Sequence, residues 1–208
     1  MNGFSLIETM RFEPGQGIVR QRLHMARLAN SARKLGFTGV ETAQAALADI
    51  LAEPSRVRLE LSGDGKLDIT VAPFQPLPAD SVWTVRIASS VRLSARAPLL
   101  RHKTSLRGTY ETARAEFSRA SCDEVILLNE HGEVSEGTIT NLFVEAGDGT
   151  LVTPPLSSGC LAGVLRSALL CQKKARVGVV RPETLEERPF YIGNSLRGLI
   201  RGRLITTS

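Results

Sequence analysis

Hydrophobic positions in the first third of the chain repeat with two different periods, which predict strands and helices in turn. Residues 5–20 predict two strands on either side of a Pro-Gly-Gln-Gly turn, and the chemistry of that turn predicts a β-hairpin. Residues 21–37 place leucines at helical spacing, and Gly36 stands where that helix should end. The alanine-rich residues 41–53 predict a second helix, which should stop before Pro54.

The rest of the pattern predicts another hairpin, a linker and a second domain rich in strands. Residues 55–71 alternate around a Gly-Asp-Gly turn, and residues 73–81 carry three prolines, which favours a linker. We therefore expect two domains, residues 1–76 and residues 77–208. In the second domain we expect a strand over 82–89, a helix over 108–120, antiparallel strands over 123–154, a helix over 161–175 and two last strands. This is an α+β pattern with two layers in each domain.

Composition and charge narrow the classes of function. No window approaches the roughly 18 consecutive apolar residues of a membrane helix, and the first residues lack the pattern of a signal peptide, so we expect a cytoplasmic protein with no membrane association. The 26 basic residues are interleaved with 21 acidic ones, for a net charge of +5. Without a basic arm or stacking aromatics this balance indicates a small anionic substrate and no nucleic-acid partner. Three cysteines without CxxC spacing, and isolated histidines, indicate neither a disulfide framework nor a metal site.

The segment "RHKTSLRGTY", residues 101–110, contains the lysine with the most suggestive surroundings. Lys103 stands between a histidine and a run of hydroxyl residues, with arginines on both sides. A lysine amine forms an imine with an aldehyde and, once displaced, becomes a neutral base. Taken alone, Lys103 would most often be a solvated surface lysine.

Together with three other segments, however, the lysine segment resembles a known family. "HMARLANSARKLGF", "RHKTSLRGTY", "VSEGTITNLF" and "TPPLSSGCLAGVLRSALL" follow one another in the order seen in the class IV, or fold-type IV, pyridoxal-phosphate enzymes. That family includes branched-chain and D-amino-acid aminotransferases and 4-amino-4-deoxychorismate lyase. The resemblance implies a small N-terminal domain with helices and strands, a larger C-terminal domain with antiparallel strands, and pyridoxal 5'-phosphate as cofactor.

The resemblance assigns two residues to the cofactor's reactive parts. Lys103 would be the Schiff-base lysine and the proton shuttle. Glu136 would pair with the pyridine nitrogen, because a carboxylate beside that nitrogen keeps its proton on and lets the ring draw electrons from the substrate. Without the neighbouring "TNLF" match, Glu136 would be read as a loop glutamate.

Four further residues would hold the cofactor phosphate. By the same resemblance Arg27 would grip it, and the backbone N–H groups of Val164 and Leu165 would meet it at a helix start. A guanidinium and a helix N-terminus are both well suited to a phosphate. Thr140 would add its hydroxyl, although a strand threonine fits that position equally well.

Departures from the family favour one of its members. Branched-chain aminotransferases carry a tyrosine that contacts the cofactor's ring oxygen, and this chain has Gly108 at that position, although Tyr110 could still reach the ring. They also have a threonine in the phosphate-binding turn, and this chain has Leu165 there. The segment "FYIGNSLRGLIRGRLI", centred on Asn194, and the start "FSLIETMRFEPGQG" resemble aminodeoxychorismate lyases. The resemblance thus implies conversion of 4-amino-4-deoxychorismate to 4-aminobenzoate and pyruvate, a step toward folate.

The implied substrate and family also suggest which residues bind the substrate and which proteins are partners. Its two carboxylates need positive charge, and Arg11, Arg107 and Arg197, with Asn194, are candidates by sequence context; each arginine is equally consistent with a surface position. The family resemblance implies a homodimer and a functional link to aminodeoxychorismate synthase. Two alternatives stay open: a class IV aminotransferase acting on branched-chain or D-amino acids, and a protein that binds pyridoxal phosphate without catalysis.

Overall fold

The computed structural model describes residues 3–47 and 53–206. Within these ranges the chain forms two sheets with helices against them, so the predicted α+β class is confirmed. The strands are β1 Ser5–Glu13, β2 Gly17–Ile18, β3 Ser55–Ser62, β4 Leu67–Pro73, β5 Val82–Ile87, β6 Glu124–Leu128, β7 Val134–Gly137, β8 Asn141–Glu145, β9 Leu151–Thr153, β10 Ala175–Val177, β11 Phe190–Asn194 and β12 Gly198–Leu204. The helices are α1 Gln21–Leu35, α2 Val40–Ala46, α3 Gly108–Ala115, α4 Val164–Cys171 and α5 Pro182–Glu187.

The chain divides into two compact units whose boundary is not a single point in the sequence. The first unit holds the described residues up to Pro76, together with His102–Leu106 and Ser195–Arg197. The second unit holds the other described residues. We predicted two continuous segments that meet after residue 76, but two short excursions of the later chain belong to the first unit. The predicted lysine segment is one of them.

The first unit is an antiparallel sheet with α1 against it. Its strands lie in the order β2-β1-β3-β4, and both predicted hairpins are confirmed. Leu28 and Ala32 of α1 pack into the same core as Met10 and Leu59 of the sheet. At the end of α1, Gly36 adopts a left-handed conformation with φ 72°, and its N–H donates to Ala32. This is the helix end that the sequence predicted, since glycine adopts such a φ without steric cost.

The second predicted helix is described only in part. It forms α2, Val40–Ala46, and residues 48–52 of the predicted span lie outside the described residues.

The second unit is a mixed sheet in the order β10-β9-β8-β11-β12-β5-β6-β7. The predicted antiparallel pairs are present, but β9 with β10, β12 with β5, and β5 with β6 are parallel. Helix α3 is shorter than predicted, ending at Ala115, and neither β10 nor α5 was predicted. Helix α4 packs Leu165 and Leu169 against Phe143 of β8, which places its first turn beside the β7–β8 segment. None of the described helices has the length and hydrophobicity needed to cross a lipid bilayer.

Candidate functional site

The backbone of the lysine segment is held as an added edge of the first unit's sheet. The Ile7 N–H donates to the carbonyl of Lys103 at 2.8 Å, and the Ser105 N–H donates to Ser5 at 2.9 Å. Ser5 returns a bond from its own N–H to the Ser105 hydroxyl, also at 2.9 Å. Because β3 pairs with the other edge of β1, these bonds fix Lys103 on a rigid strand, and its side chain is half-buried.

Helix α1 also contacts this segment through a buried histidine. The Nδ1 atom of His102 lies 2.9 Å from the Ser31 hydroxyl. Burial and the nearby Lys34 lower the pKa of His102. This contact anchors the residue before the candidate lysine to α1.

Arg27 is held in one orientation by a buried carboxylate. Its Nε and Nη2 atoms donate to the two carboxylate oxygens of Glu8 at 2.8 and 2.6 Å. Burial alone would raise the pKa of Glu8, but the Arg27 cation and the hydrogen bond from His24 lower it to about 2. The ionised pair uses two of the five guanidinium donors. It therefore presents an oriented cation, as an anion-binding arginine requires.

In the second unit, three donors converge on Glu136, which is only 5% exposed. The Tyr110 hydroxyl donates to Oε1 at 2.7 Å, while the Asn141 Nδ2 and the Leu161 N–H donate to Oε2 at 3.2 and 3.1 Å. Burial and the Glu136 carboxylate raise the pKa of Tyr110, so its hydroxyl keeps the proton that it donates. The carboxylate is thus fixed in place. The sequence left open whether Tyr110 would contact a cofactor; the structure places its hydroxyl on Glu136.

The start of α4 lies next to this carboxylate. Its first residues, Val164 and Leu165, follow Gly163, which supplies no side-chain cap. The first N–H groups of a helix have no acceptor within the helix, so this end can receive an anion. A Cβ on Gly163 would lie 1.8 Å from Oδ1 of Asn141, so only glycine fits there. Asn141 also donates to the Leu161 carbonyl at 3.1 Å and so joins the turn to Glu136.

The hydroxyl of Thr140 has a protein partner, and its predicted role at the phosphate stays a prediction. Its hydroxyl donates to Oε2 of Glu124 at 2.9 Å, and Glu124 is fully buried in β6. A phosphate accepts hydrogen bonds, and the single hydroxyl proton of Thr140 is already used. Glu124 also receives the Thr138 hydroxyl at 2.5 Å and the Ile139 N–H at 3.1 Å, so Thr140 is part of a clamp on the β7–β8 turn.

The candidate substrate residues fall into two groups. Arg107 donates to the Thr138 carbonyl, and its guanidinium lies 4.8 Å from the centre of the Tyr110 ring. Asn194 donates to the next carbonyl, that of Ile139, at 3.1 Å. The structure thus brings Arg107 and Asn194 to one turn of the second unit.

The other two candidates belong to the first unit. The Nε atom of Arg11 lies 2.9 Å from a carboxylate oxygen of Glu13. Arg197 lies in the Ser195–Arg197 excursion.

Sequence reasoning missed the residues that hold the expected ones in place. Asn141 stood inside a quoted motif without a role, and Glu8 inside a predicted strand. Glu124 looked like an ordinary charge before a hydrophobic run. Only a charged residue within an otherwise hydrophobic strand pattern could have pointed to Glu8, because its partners are distant in the sequence.

Comparison with known proteins shows the family and the fold of the chain. The chain matches the family described as amino-transferase class IV over residues 5–205. A provisionally named aminodeoxychorismate lyase from Schizosaccharomyces pombe is 28% identical over 194 residues, which are 88% of this chain and 82% of that protein. The structure of a provisionally named amino-acid aminotransferase from Mesorhizobium loti is 44% identical, with a TM-score of 0.90 over 97% of this chain and 100% of the other.

The fold is shared with a lyase structure as well. The 4-amino-4-deoxychorismate lyase from Pseudomonas aeruginosa is 24% identical, with a TM-score of 0.78 over 96% of this chain and 82% of the other. The predicted two-domain fold is thereby confirmed, and the predicted family is the one that the chain matches.

Proposed function

The chain belongs to the class IV aminotransferase family, and from this premise we propose that it is a pyridoxal-phosphate enzyme that acts as 4-amino-4-deoxychorismate lyase. The observation that carries the cofactor assignment is the buried Glu136 with its three donors. It lies beside the start of α4, where the residue before the helix, Gly163, has no room for a larger side chain. The lyase assignment is supported by the Schizosaccharomyces pombe relative, which matches 88% of this chain.

The residues present fit this cofactor. Glu136 is an oriented acceptor suited to a protonated pyridine nitrogen. The uncapped start of α4 at Val164 and Leu165 is suited to a phosphate, as is the oriented guanidinium of Arg27. When bound, pyridoxal phosphate supplies an aldehyde carbon and a ring that withdraws electrons from the carbon next to the substrate nitrogen.

Each residue then has one task in the proposed reaction. Lys103 would hold the cofactor through its amine, and the same amine, once free, would accept the proton from the substrate ring carbon that bears nitrogen. Glu136 would keep the pyridine nitrogen of the bound cofactor protonated. The C–O bond to the enolpyruvyl group breaks, that group takes up one proton to become pyruvate, and the remaining ring becomes aromatic 4-aminobenzoate. The proton lost and the proton gained balance.

The candidate substrate-binding residues are considered within each unit separately. Arg107 and Asn194 are both bonded to carbonyls of the β7–β8 turn, so we assign them to one carboxylate-binding group. Arg197 is the first unit's candidate. Arg11, whose Nε atom lies 2.9 Å from the Glu13 carboxylate, stays a candidate from the sequence.

The test measures both products. We would generate 4-amino-4-deoxychorismate with a synthase, supply pyridoxal phosphate, and follow 4-aminobenzoate and pyruvate for the native protein, for Lys103→Ala and for Lys66→Ala, an exposed lysine in the β3–β4 turn. Equal amounts of both products from the native protein and from Lys66→Ala, with none from Lys103→Ala, are expected. A native protein that forms neither product, while still giving the visible absorption of lysine-bound cofactor, would overturn the lyase assignment and leave cofactor binding standing.

A second candidate, a class IV aminotransferase, is favoured by one observation. The Mesorhizobium loti structure, 44% identical over nearly the whole chain, is provisionally named an amino-acid aminotransferase. The same Lys103, Arg27 and Glu136 would serve, but the proton would return to the cofactor and leave it in its amine form. Conversion of the cofactor to that form by simple amino acids, reversed by keto acids, would identify this reaction. Cofactor binding with neither reaction would identify the non-catalytic alternative.

We also propose that the protein forms a homodimer, works in the cytoplasm and receives its substrate from a synthase. The chain mass is 22.5 kDa, so light scattering should give about twice that value if it is a dimer.

A further inference from the structure

A buried chain of hydrogen bonds joins three distant segments within the first unit. The Nδ1 atom of His24 lies 2.6 Å from Oε2 of Glu8, and its Nε2 atom lies 2.8 Å from the Ser195 hydroxyl. The exposed fractions are 0% for His24, 1% for Glu8 and 6% for Ser195. One imidazole ring therefore connects β1, α1 and the Ser195–Arg197 excursion, without access to water.

The connectivity of this chain is that of a Ser-His-acid triad, but its surroundings do not suit a nucleophile. Both oxygens of Glu8 are engaged by Arg27, which compensates the negative charge that a triad uses to stabilise an imidazolium. The pKa of His24 is lowered, because burial and the Arg27 and Arg20 cations together outweigh the Glu8 carboxylate, which raises it. Ser195 is itself buried, so its hydroxyl does not face a substrate.

The protonation pattern of His24 follows from its partners. A neutral imidazole has one donor and one acceptor nitrogen. An ionised carboxylate only accepts, so Nδ1 carries the proton and donates to Glu8. The Nε2 atom then accepts from the Ser195 hydroxyl. The Nδ1 atom of the ring is thus a donor to Glu8, and the Nε2 atom is an acceptor from Ser195, so the two bonds can be removed separately.

We propose that His24 is a positioning residue with two separable tasks: through Glu8 it fixes Arg27 for the cofactor phosphate, and through Ser195 it fixes the excursion that carries Arg197 for the substrate. This inference rests on the proposed function and deepens it. Neither task requires His24 to touch the cofactor or the substrate. The Nδ1 side governs the affinity for pyridoxal phosphate, and the Nε2 side governs the apparent affinity for the amino substrate.

Two amide substitutions separate the tasks. In His24→Asn the side-chain amide takes the place of Nδ1, so the bond to Glu8 is kept and the bond to Ser195 is lost. In His24→Gln the amide takes the place of Nε2, so the reverse holds. Ser195→Ala removes the second bond without altering the ring, and Ser195→Thr restores a hydroxyl. His131→Gln, at an exposed histidine in the β6–β7 segment, is the matched control.

The expected results form a crossed pattern. His24→Gln should raise the dissociation constant for pyridoxal phosphate about tenfold, the scale of one lost bond to a charged group, with the KM for the amino substrate changed by less than about threefold. His24→Asn and Ser195→Ala should raise KM about tenfold and leave the cofactor constant within about twofold. Ser195→Thr should return KM toward the native value, and His131→Gln should change neither quantity.

A structural readout keeps the test independent of turnover. Hydrogen–deuterium exchange of the peptide with Ser195–Arg197 should be faster in His24→Asn and Ser195→Ala than in His24→Gln. If the native protein formed no product, the proposed function would fall, while the cofactor constant and the exchange rates would still judge His24. The inference is overturned if Asn and Gln at position 24 shift the same quantity, or if Ser195→Ala leaves both KM and exchange unchanged. If both position-24 variants fail to fold, Ser195→Ala still tests whether the bond to Ser195 positions the segment that carries Arg197.

Discussion

Replacing Gly163 with alanine should damage the Glu136 site by a purely steric route. Gly163 has φ −64° and ψ 146°, which alanine adopts without strain, so the backbone gives no reason for glycine. The added Cβ would lie 1.8 Å from Oδ1 and 3.0 Å from Cγ of Asn141. Such an approach is impossible, so the Asn141 side chain must move by more than about 1 Å.

The magnitude follows from what Asn141 holds. Its Nδ2 donates to the Glu136 carboxylate at 3.2 Å and to the Leu161 carbonyl at 3.1 Å, and a shift of that size breaks both bonds. A bond to a charged group is worth about 1.5–3 kcal/mol and a neutral one about 1 kcal/mol. We therefore expect Gly163→Ala to lower the free energy of unfolding by about 2 to 4 kcal/mol and to weaken pyridoxal phosphate binding at least tenfold.

Urea unfolding of the apoprotein and cofactor titration would measure the two effects. Gly108→Ala is the control, because a Cβ there meets nothing within 4 Å; its free energy of unfolding should stay within about 0.5 kcal/mol of native. Adding Asn141→Ala removes the atom that the new Cβ strikes, so the double variant should be no less stable than Asn141→Ala alone. A Gly163→Ala protein with native stability and native cofactor affinity would refute the steric reasoning.

Three further substitutions test the buried polar groups. The pKa of Glu8 is lowered to about 2 from an ordinary 4.5, so ionised Glu8 stabilises the folded protein above about pH 4.5, and this stabilisation is lost as the pH falls toward 2. Glu8→Gln should therefore reduce the change in the free energy of urea unfolding across that window by about 3 kcal/mol. A pH dependence equal to the native one would contradict this. Tyr110→Phe removes the 2.7 Å bond to Glu136 and should cost about 1 to 3 kcal/mol in urea unfolding, whereas no loss would mean that the bond is not formed in solution. Glu124→Ala leaves several buried donors of the β7–β8 turn without an acceptor. It should lower the melting temperature by more than 5 °C, which corresponds to about 3 kcal/mol or more in the free energy of unfolding. A smaller loss of unfolding free energy than in Tyr110→Phe would argue against the clamp.

The sequence was informative wherever local chemistry decided the structure. Helix α1 and its end at Gly36 were predicted because spacing and a left-handed glycine act within one turn. Both hairpins of the first unit were predicted because their turns are set by adjacent residues. The short β10 was not predicted, because it exists through a parallel pairing with β9 rather than through its own pattern.

The same distinction between local patterns and contacts distant in the sequence applies to the candidate site. The motif order indicated Lys103, Arg27, Glu136 and the start of α4, and it remains a prediction that they act together. Thr140 was assigned to phosphate because its neighbours matched a family segment, yet a buried carboxylate sixteen residues earlier takes its hydroxyl.

By itself, the sequence determined the fold class, the family and the residue types that chemistry would need, because these depend on periodicity, turn residues and motif order. Only the tertiary structure decided which carboxylate holds which donor. Ser195 reaches His24 across 171 positions of sequence, and Glu136 meets Tyr110 across 26. Bonds of this kind form because burial leaves polar groups no water to bind, and each must then find a partner wherever the packed chain brings one.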